Sequence, residues 1–261
     1  MAVNQLRRRL GQSFAKAYQY RLAIYFGVAI LMCWEIYATY FNPRGNQYFP
    51  SLRYIVTQTV TSSDVLLTGI QSTGIAVVIA YILSLVVGIV LGILFAEVYT
   101  VRQLFTPSLL FVYAIPSAII APLFILWLGT GLQGIAIFGG YVAFFPVFIN
   151  TFTGMNQVEE EYHDLGAMYG ATRWQMIRFI KFWKAVPHIA ASAKIAVQYC
   201  VVGVVVVEFL AGGSGLGYMI VLQTQRAQLG FVYGILFTLI VFAIIFFMSV
   251  SSIVDYLTPS T

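Results

Sequence analysis

Along this chain apolar residues run in blocks of about twenty, separated by short polar stretches. A block of that length crosses a hydrocarbon layer of roughly 30 Å as a helix rising 1.5 Å per residue. Six such spans are expected, at 22–41, 73–95, 108–128, 132–153, 189–210 and 231–254. The first follows a basic segment but carries Glu35 and meets no small-residue cleavage site, so it reads as a retained span and not a signal peptide. The pattern predicts an all-α polytopic membrane protein: a basic N-terminal segment at 1–21 and one transmembrane domain at 22–261 with about six transmembrane helices. Within it, Gly88 and Gly92 form a GxxxG pair suited to close approach by a second helix. Pro116 and Pro122 are expected to interrupt the third span and Pro146 the fourth. Backbone groups freed in lipid need protein or trapped water, so these two spans are candidate cavity liners.

Composition agrees with the pattern. Hydrophobic residues make up 60% and charged residues 9% of the chain, whereas soluble domains carry about 25% charged residues. With a mean hydropathy of +0.87, a water-soluble domain is excluded. Cys33 and Cys200 lie inside apolar runs and read as inert thiols, not a disulfide. Charge then sets orientation. Ten basic residues (Arg7, Arg8, Arg9, Lys16, Arg21, Arg102, Arg173, Arg178, Lys181 and Lys184) fall in one set of loops, against Arg44, Arg53 and Arg226 in the other. Positive loops stay inside, which predicts cytoplasmic termini and a cytoplasmic loop between the fourth and fifth spans. The net charge of +5 follows from that bias beside an anionic leaflet and calls for no nucleic acid.

The chain offers little catalytic chemistry of its own. Gly212-Gly213-Ser214-Gly215 matches the GxSG pattern of intramembrane serine proteases, but His163 and His188 both precede it and fall on the opposite side. Without a base in reach the serine is a poor nucleophile. No GxxxxGK[ST] loop is present to cradle ATP, and the two histidines and two cysteines form no cluster for a metal. Three ionisable groups fall within spans: Glu35, Lys194 and Glu208. Such groups are costly in lipid and default to function. Glu35 and Lys194 are expected to pair with a neighbouring helix or reach an interface. Glu208 suits either snorkelling or a pathway role, and Gln198 shares a helix face with Lys194.

The stretch 155–187 differs in character, holding four of the nine acids and four of the fourteen bases. Glu159, Glu160, Glu161 and Asp164 open a short helix, where acids complement the positive helix end. Gly170 supplies its stop. Thr172 and Gln175 form a capping box that starts a second, amphipathic helix, expected to end at Pro187.

Asp164-Leu165-Gly166, Gly170 and Ile180-Lys181-Phe182-Trp183 match the spacing of the EAA motif, EAA-x3-G-x9-I-x-LP, of binding-protein-dependent ABC transporter permeases. Asp, Leu-Gly, Phe and Trp stand where the motif has Glu, Ala-Ala, Leu and Pro. Tyr48-Phe-Pro-Ser51, Ile115-Pro-Ser117, Phe144-Phe-Pro146 with Asn150, and the segment from Glu208 to Gly217 resemble permeases of the nitrate, sulfonate and taurine type. The resemblance implies a non-catalytic permease subunit of an ATP-driven importer in the cell inner membrane. It would pair with a second permease chain, identical or related, on two ATPase subunits that bind ATP and Mg, with an extracytoplasmic solute-binding protein above and no cofactor on this chain. In that family the EAA loop is the coupling helix, which makes Glu160, Glu161, His163, Asp164, Leu165, Gly166, Tyr169, Gly170, Ala171, Thr172 and Arg173 candidate ATPase contacts. Tyr113, Pro116, Ser117, Asn150, Gln198 and Glu208 are candidates for the translocation pathway. The related permeases suggest a small anion such as a sulfonate, taurine or nitrate, or a thiamine-precursor pyrimidine. The competing expectation is a self-contained ion-coupled secondary transporter or channel using Glu35, Lys194 and Glu208.

Overall fold

The structure, a computed structural model, describes residues 25–41, 48–98, 103, 108, 111–157, 162, 166, 168–211 and 213–258. Among the described residues every regular element is helical. We number them α1 (Tyr25–Phe41), α2 (Leu52–Thr61), α3 (Ser63–Glu97), α4 (Ser117–Leu128) and α5 (Leu132–Asn156). Next comes α6, made of Arg173–Met176, a π-helical turn Ile177–Lys181 and Phe182–Ala211, then α7 (Gly215–Gln225) and α8 (Leu229–Leu257). Four of these, α3, α5, α6 and α8, are long and apolar enough to cross a membrane; α1 and α4 are shorter and apolar. The protein is an all-α polytopic membrane protein.

The core forms where α3, α5 and α6 meet. In α5, 67% of the most apolar window is buried, against 28% in α3 and 22% in α8, so α5 is the central post and the other two present broad faces to lipid. Small residues make this packing close. A Cβ added to Gly88 would lie 2.7 Å from Val147 Cγ1, and one added to Gly92 would lie 2.7 Å from Thr151 Cβ. The GxxxG pair is therefore the face that α3 turns to α5. Gly139 and Gly203 do the same for α5 and α6, where a Cβ on Gly203 would meet the Gly139 backbone at 2.8 Å.

Proline behaves differently from the expectation at three of four sites. Pro116 does interrupt its span: residues 111–114 are helical, the backbone opens at Ile115–Pro116, and α4 begins at Ser117. Pro122, Pro146 and Pro187 sit inside continuous helices. Each removes one backbone donor, but a membrane helix held by its neighbours tolerates that loss. Ala121 beside Pro122 is fully buried, and Ala185 and His188 around Pro187 pack directly on Gly154 of α5. The second helix of the 155–187 segment consequently does not end at Pro187 but continues into the fifth span as one rod.

The described contacts separate two ends of the molecule. At one, Trp34 Nε1 donates to the Pro50 carbonyl at 3.0 Å, and its ring meets Phe49 and Tyr233 edge-on at 5.8 and 5.3 Å. This aromatic cluster suits a membrane interface. Glu35 Oε2 accepts from Leu52 N–H at 2.7 Å, and Ser51 Oγ accepts from Tyr54 N–H, so both cap α2. At the other end Lys194 Nζ meets Asp255 Oδ1 at 2.5 Å, tying α6 to α8. Glu35 and Lys194 thus both pair with neighbouring elements, as expected of costly groups in apolar spans.

Candidate functional site

Three arrangements carry chemistry or motion. The first is the polar segment before α6. Of its candidate contacts, Glu160, Glu161, His163, Asp164 and Leu165 lie outside the described residues. The described part has the expected build. Gly170 takes φ +66°, and the Ala171 N–H reaches back to the Gly166 carbonyl at 2.8 Å, a helix stop that needs a left-handed residue. Thr172 then accepts from Gln175 N–H, and the Gln175 side chain accepts from Thr172 N–H at 2.7 Å, which completes the capping box. Gly166 is buried against Met176, folding the turn onto the start of α6. Met168 and Tyr169 are left more than four-fifths exposed beside the exposed Thr172 and Arg173.

This turn is anchored by a residue the sequence analysis did not single out. Glu97, the last residue of α3, has a side chain only 9% exposed and bonds Lys181 Nζ at 2.8 Å, with Arg173 Nε at 3.7 Å. The Arg173 guanidinium also donates to the Glu97 carbonyl. One carboxylate therefore joins the base of the second span to the polar segment. A lone acid at the end of an apolar run was its only signal, and the cations lie 76 and 84 residues away.

The second arrangement is a cavity of about 180 Å³ at the break in the third span, lined by Tyr113, Pro116 and Ser117 with Tyr141, Phe145 and Tyr199 among others. Three of the six pathway candidates thus come together. Asn150 and Gln198 do not line it: Asn150 Nδ2 donates to the Pro146 carbonyl at 2.8 Å and Gln198 is exposed on α6.

Glu208 forms the third. It is 1% exposed, so it does not snorkel. Its carboxylate accepts from Thr73 Oγ1 at 2.8 and 3.0 Å and from Gly217 N–H at 2.9 Å, while Leu216 N–H donates to Thr73 Oγ1 at 2.8 Å. The carboxylate thus sits at the N-terminus of α7, where backbone donors and the helix dipole favour negative charge. Glycine is required around it. Gly215 has φ +92°, and a Cβ there would strike the Glu208 carboxylate. Ser214, the serine of the GxSG pattern, accepts from Ser72 Oγ at 3.0 Å, whereas His188 packs on Gly154 at the other end.

Known proteins agree with this architecture. Residues 85–261 match the family described as binding-protein-dependent transport system inner membrane component. A probable ABC transporter permease protein of Haemophilus influenzae is 24% identical over 85% of this chain and 90% of its own length. The formylaminopyrimidine transport permease protein of Halalkalibacterium halodurans is 28% identical over 94% of this chain and 97% of its own. A putative aliphatic sulfonates transport permease protein of Bacillus subtilis is 31% identical over 53% of this chain and 49% of its own. The chain belongs to the binding-protein-dependent inner-membrane component family and is a multi-pass permease subunit of the ABC importer type.

Proposed function

We propose that residues 22–261 form one half of a translocation pathway for a small solute and couple it to a separate ATPase through residues 159–171. Both termini, with the basic 1–21 segment, face the cytoplasm. A second permease chain completes the pathway, two ATPase subunits holding ATP and Mg dock beneath, and a solute-binding protein delivers cargo above. The solute is a sulfonate-class anion or a formylaminopyrimidine-class heterocycle, as in the relatives.

The observation that carries this reading is the continuity of the polar segment with the core. The Gly170 turn presents Tyr169, Ala171, Thr172 and Arg173 at one end, and the capping box leads into a rod that reaches Ala211 at the other end. A push on the turn moves the fifth span directly, and through Glu97 it moves the second. Closure of an ATPase dimer then reorients packed helices around the mid-depth cavity, a rigid-body switch between discrete arrangements. Tyr113, Pro116, Ser117, Asn150 and Gln198 are assigned to the pathway, and Glu208 serves it by holding α7 in place. Glu160, Glu161, His163, Asp164, Leu165, Gly166 and Gly170 complete the docking segment.

Asp164→Arg, or deletion of residues 159–170, is expected to abolish retention of the ATPase subunit in a detergent pulldown while membrane insertion stays normal. Transport at the unmodified rate by either variant would remove the coupling role from this segment.

A further inference from the structure

We propose that the cavity at the break of the third span is the point where the pathway contacts its cargo, and that it is built for a flat, uncharged nitrogen heterocycle. This rests on the permease reading above and narrows its substrate.

Position comes first. Ser117 lies eleven residues before the end of α4, and Tyr141 nine residues after the start of α5. At 1.5 Å per residue these are about 17 and 14 Å from one end of the helices, the middle of a layer roughly 30 Å thick. Backbone interrupted at that depth requires a protein-lined or wet surround, and the cavity lies against the break.

The lining then selects the ligand. Three tyrosines and Phe145 supply rings, Ser117 adds a hydroxyl, and among the described residues no charged side chain lines the space. Tyr113 and Phe145 stand 5.2 Å apart, tilted by 34°, and Tyr141 meets Phe145 edge-on at 5.3 Å. Such faces favour an offset-stacked or edge-on aromatic partner. Tyr113 and Tyr199 both line the space, and a tyrosine hydroxyl can donate to or accept from ring nitrogens and amino groups. An anion fares worse. The start of α4, which has no side-chain cap, offers a negative charge only the modest attraction of a helix end, whereas stripping an ion of water costs more than that when no counter-charge replaces it.

The test uses the intact importer, purified with its ATPase and reconstituted in proteoliposomes with its binding protein, and follows radiolabelled formylaminopyrimidine, taurine and nitrate separately. ATP-dependent uptake of the formylaminopyrimidine is expected, falling tenfold or more in Tyr199→Ala and Tyr141→Ala. Tyr199→Phe, which keeps the ring and removes the hydroxyl, is expected to lose about threefold, and it serves if an alanine variant fails to fold. Retention of the ATPase subunit reports folding in each case. Uptake of taurine or nitrate in preference to the heterocycle, uptake of none of the three by a complex that retains its ATPase, or undiminished uptake by the folded tyrosine variants overturns the assignment. A chain that retains no ATPase at all contradicts the permease reading itself, a separate outcome.

Discussion

Replacing Glu97 by Lys is expected to uncouple the importer, cutting ATP-driven uptake tenfold or more while the ATPase subunit stays bound. The two ion pairs at Glu97 contribute unequally. Arg173 is 71% exposed at its side chain and 3.7 Å away, an exposed pair worth about 0–1 kcal/mol. Lys181 is 15% exposed and 2.8 Å away, and breaking a sheltered pair from one side costs about 3–5 kcal/mol in full burial, hence about 2 kcal/mol or more here. Since 1.4 kcal/mol is a factor of ten, that loss suffices to detach the base of α3 from the start of α6. Charge reversal adds repulsion from both partners. Adding Lys181→Glu to Glu97→Lys restores opposite charges and should recover much of the uptake. Parallel measurements of uptake and ATP hydrolysis in proteoliposomes check this, and normal uptake by Glu97→Lys would show that the link transmits nothing.

Glu208→Ala is expected to lower the thermal unfolding temperature of the detergent-solubilised protein sharply, and Gly215→Ala to match it. Truncating Glu208 leaves the Gly217 N–H and the Thr73 hydroxyl without their acceptor, at about 1–3 kcal/mol for each buried orphan. At Gly215 a side chain meets both an unfavourable φ of +92° and the carboxylate. Glu208→Gln separates a structural role from ion coupling, because the amide oxygen still accepts from Gly217 but carries no titrating proton. Retained stability and retained uptake are expected. Retained stability with uptake abolished would make Glu208 a coupling group of an ion-driven carrier.

The parts of the fold legible in the sequence are those governed by local rules. Hydropathy blocks marked the membrane helices, and the spacing of Gly170, Thr172 and Gln175 marked the turn and capping box, because helix stops and starts depend on residues within one turn of each other. Proline misled at Pro122, Pro146 and Pro187, where residues of the same helix packed against neighbouring helices, Ala121, Phe145 and Ala185 among them, keep the helix continuous past one missing hydrogen bond. Glu97 was missed for the opposite reason: an isolated acid at the end of a span carries no local pattern, and its partners are brought to it only by the fold. Glu208 stood out as a charge in an apolar run, yet its task became visible only with Thr73 on another helix and the glycine-rich turn seven residues on. Likewise Pro116 and Ser117 were marked by the family pattern and Tyr113 stood with them among the pathway candidates, whereas Tyr141 and Tyr199 joined them through the packing of three helices.

The most direct measurement is purification of the full-length chain from the membranes of its own host, followed by transport in liposomes under ATP alone and under an ion gradient alone. A permease of the kind described retains an ATPase subunit and moves its solute only when ATP is supplied on the side of the 159–171 segment. A chain that purifies without an ATPase and transports on an ion gradient in the absence of ATP would contradict the account.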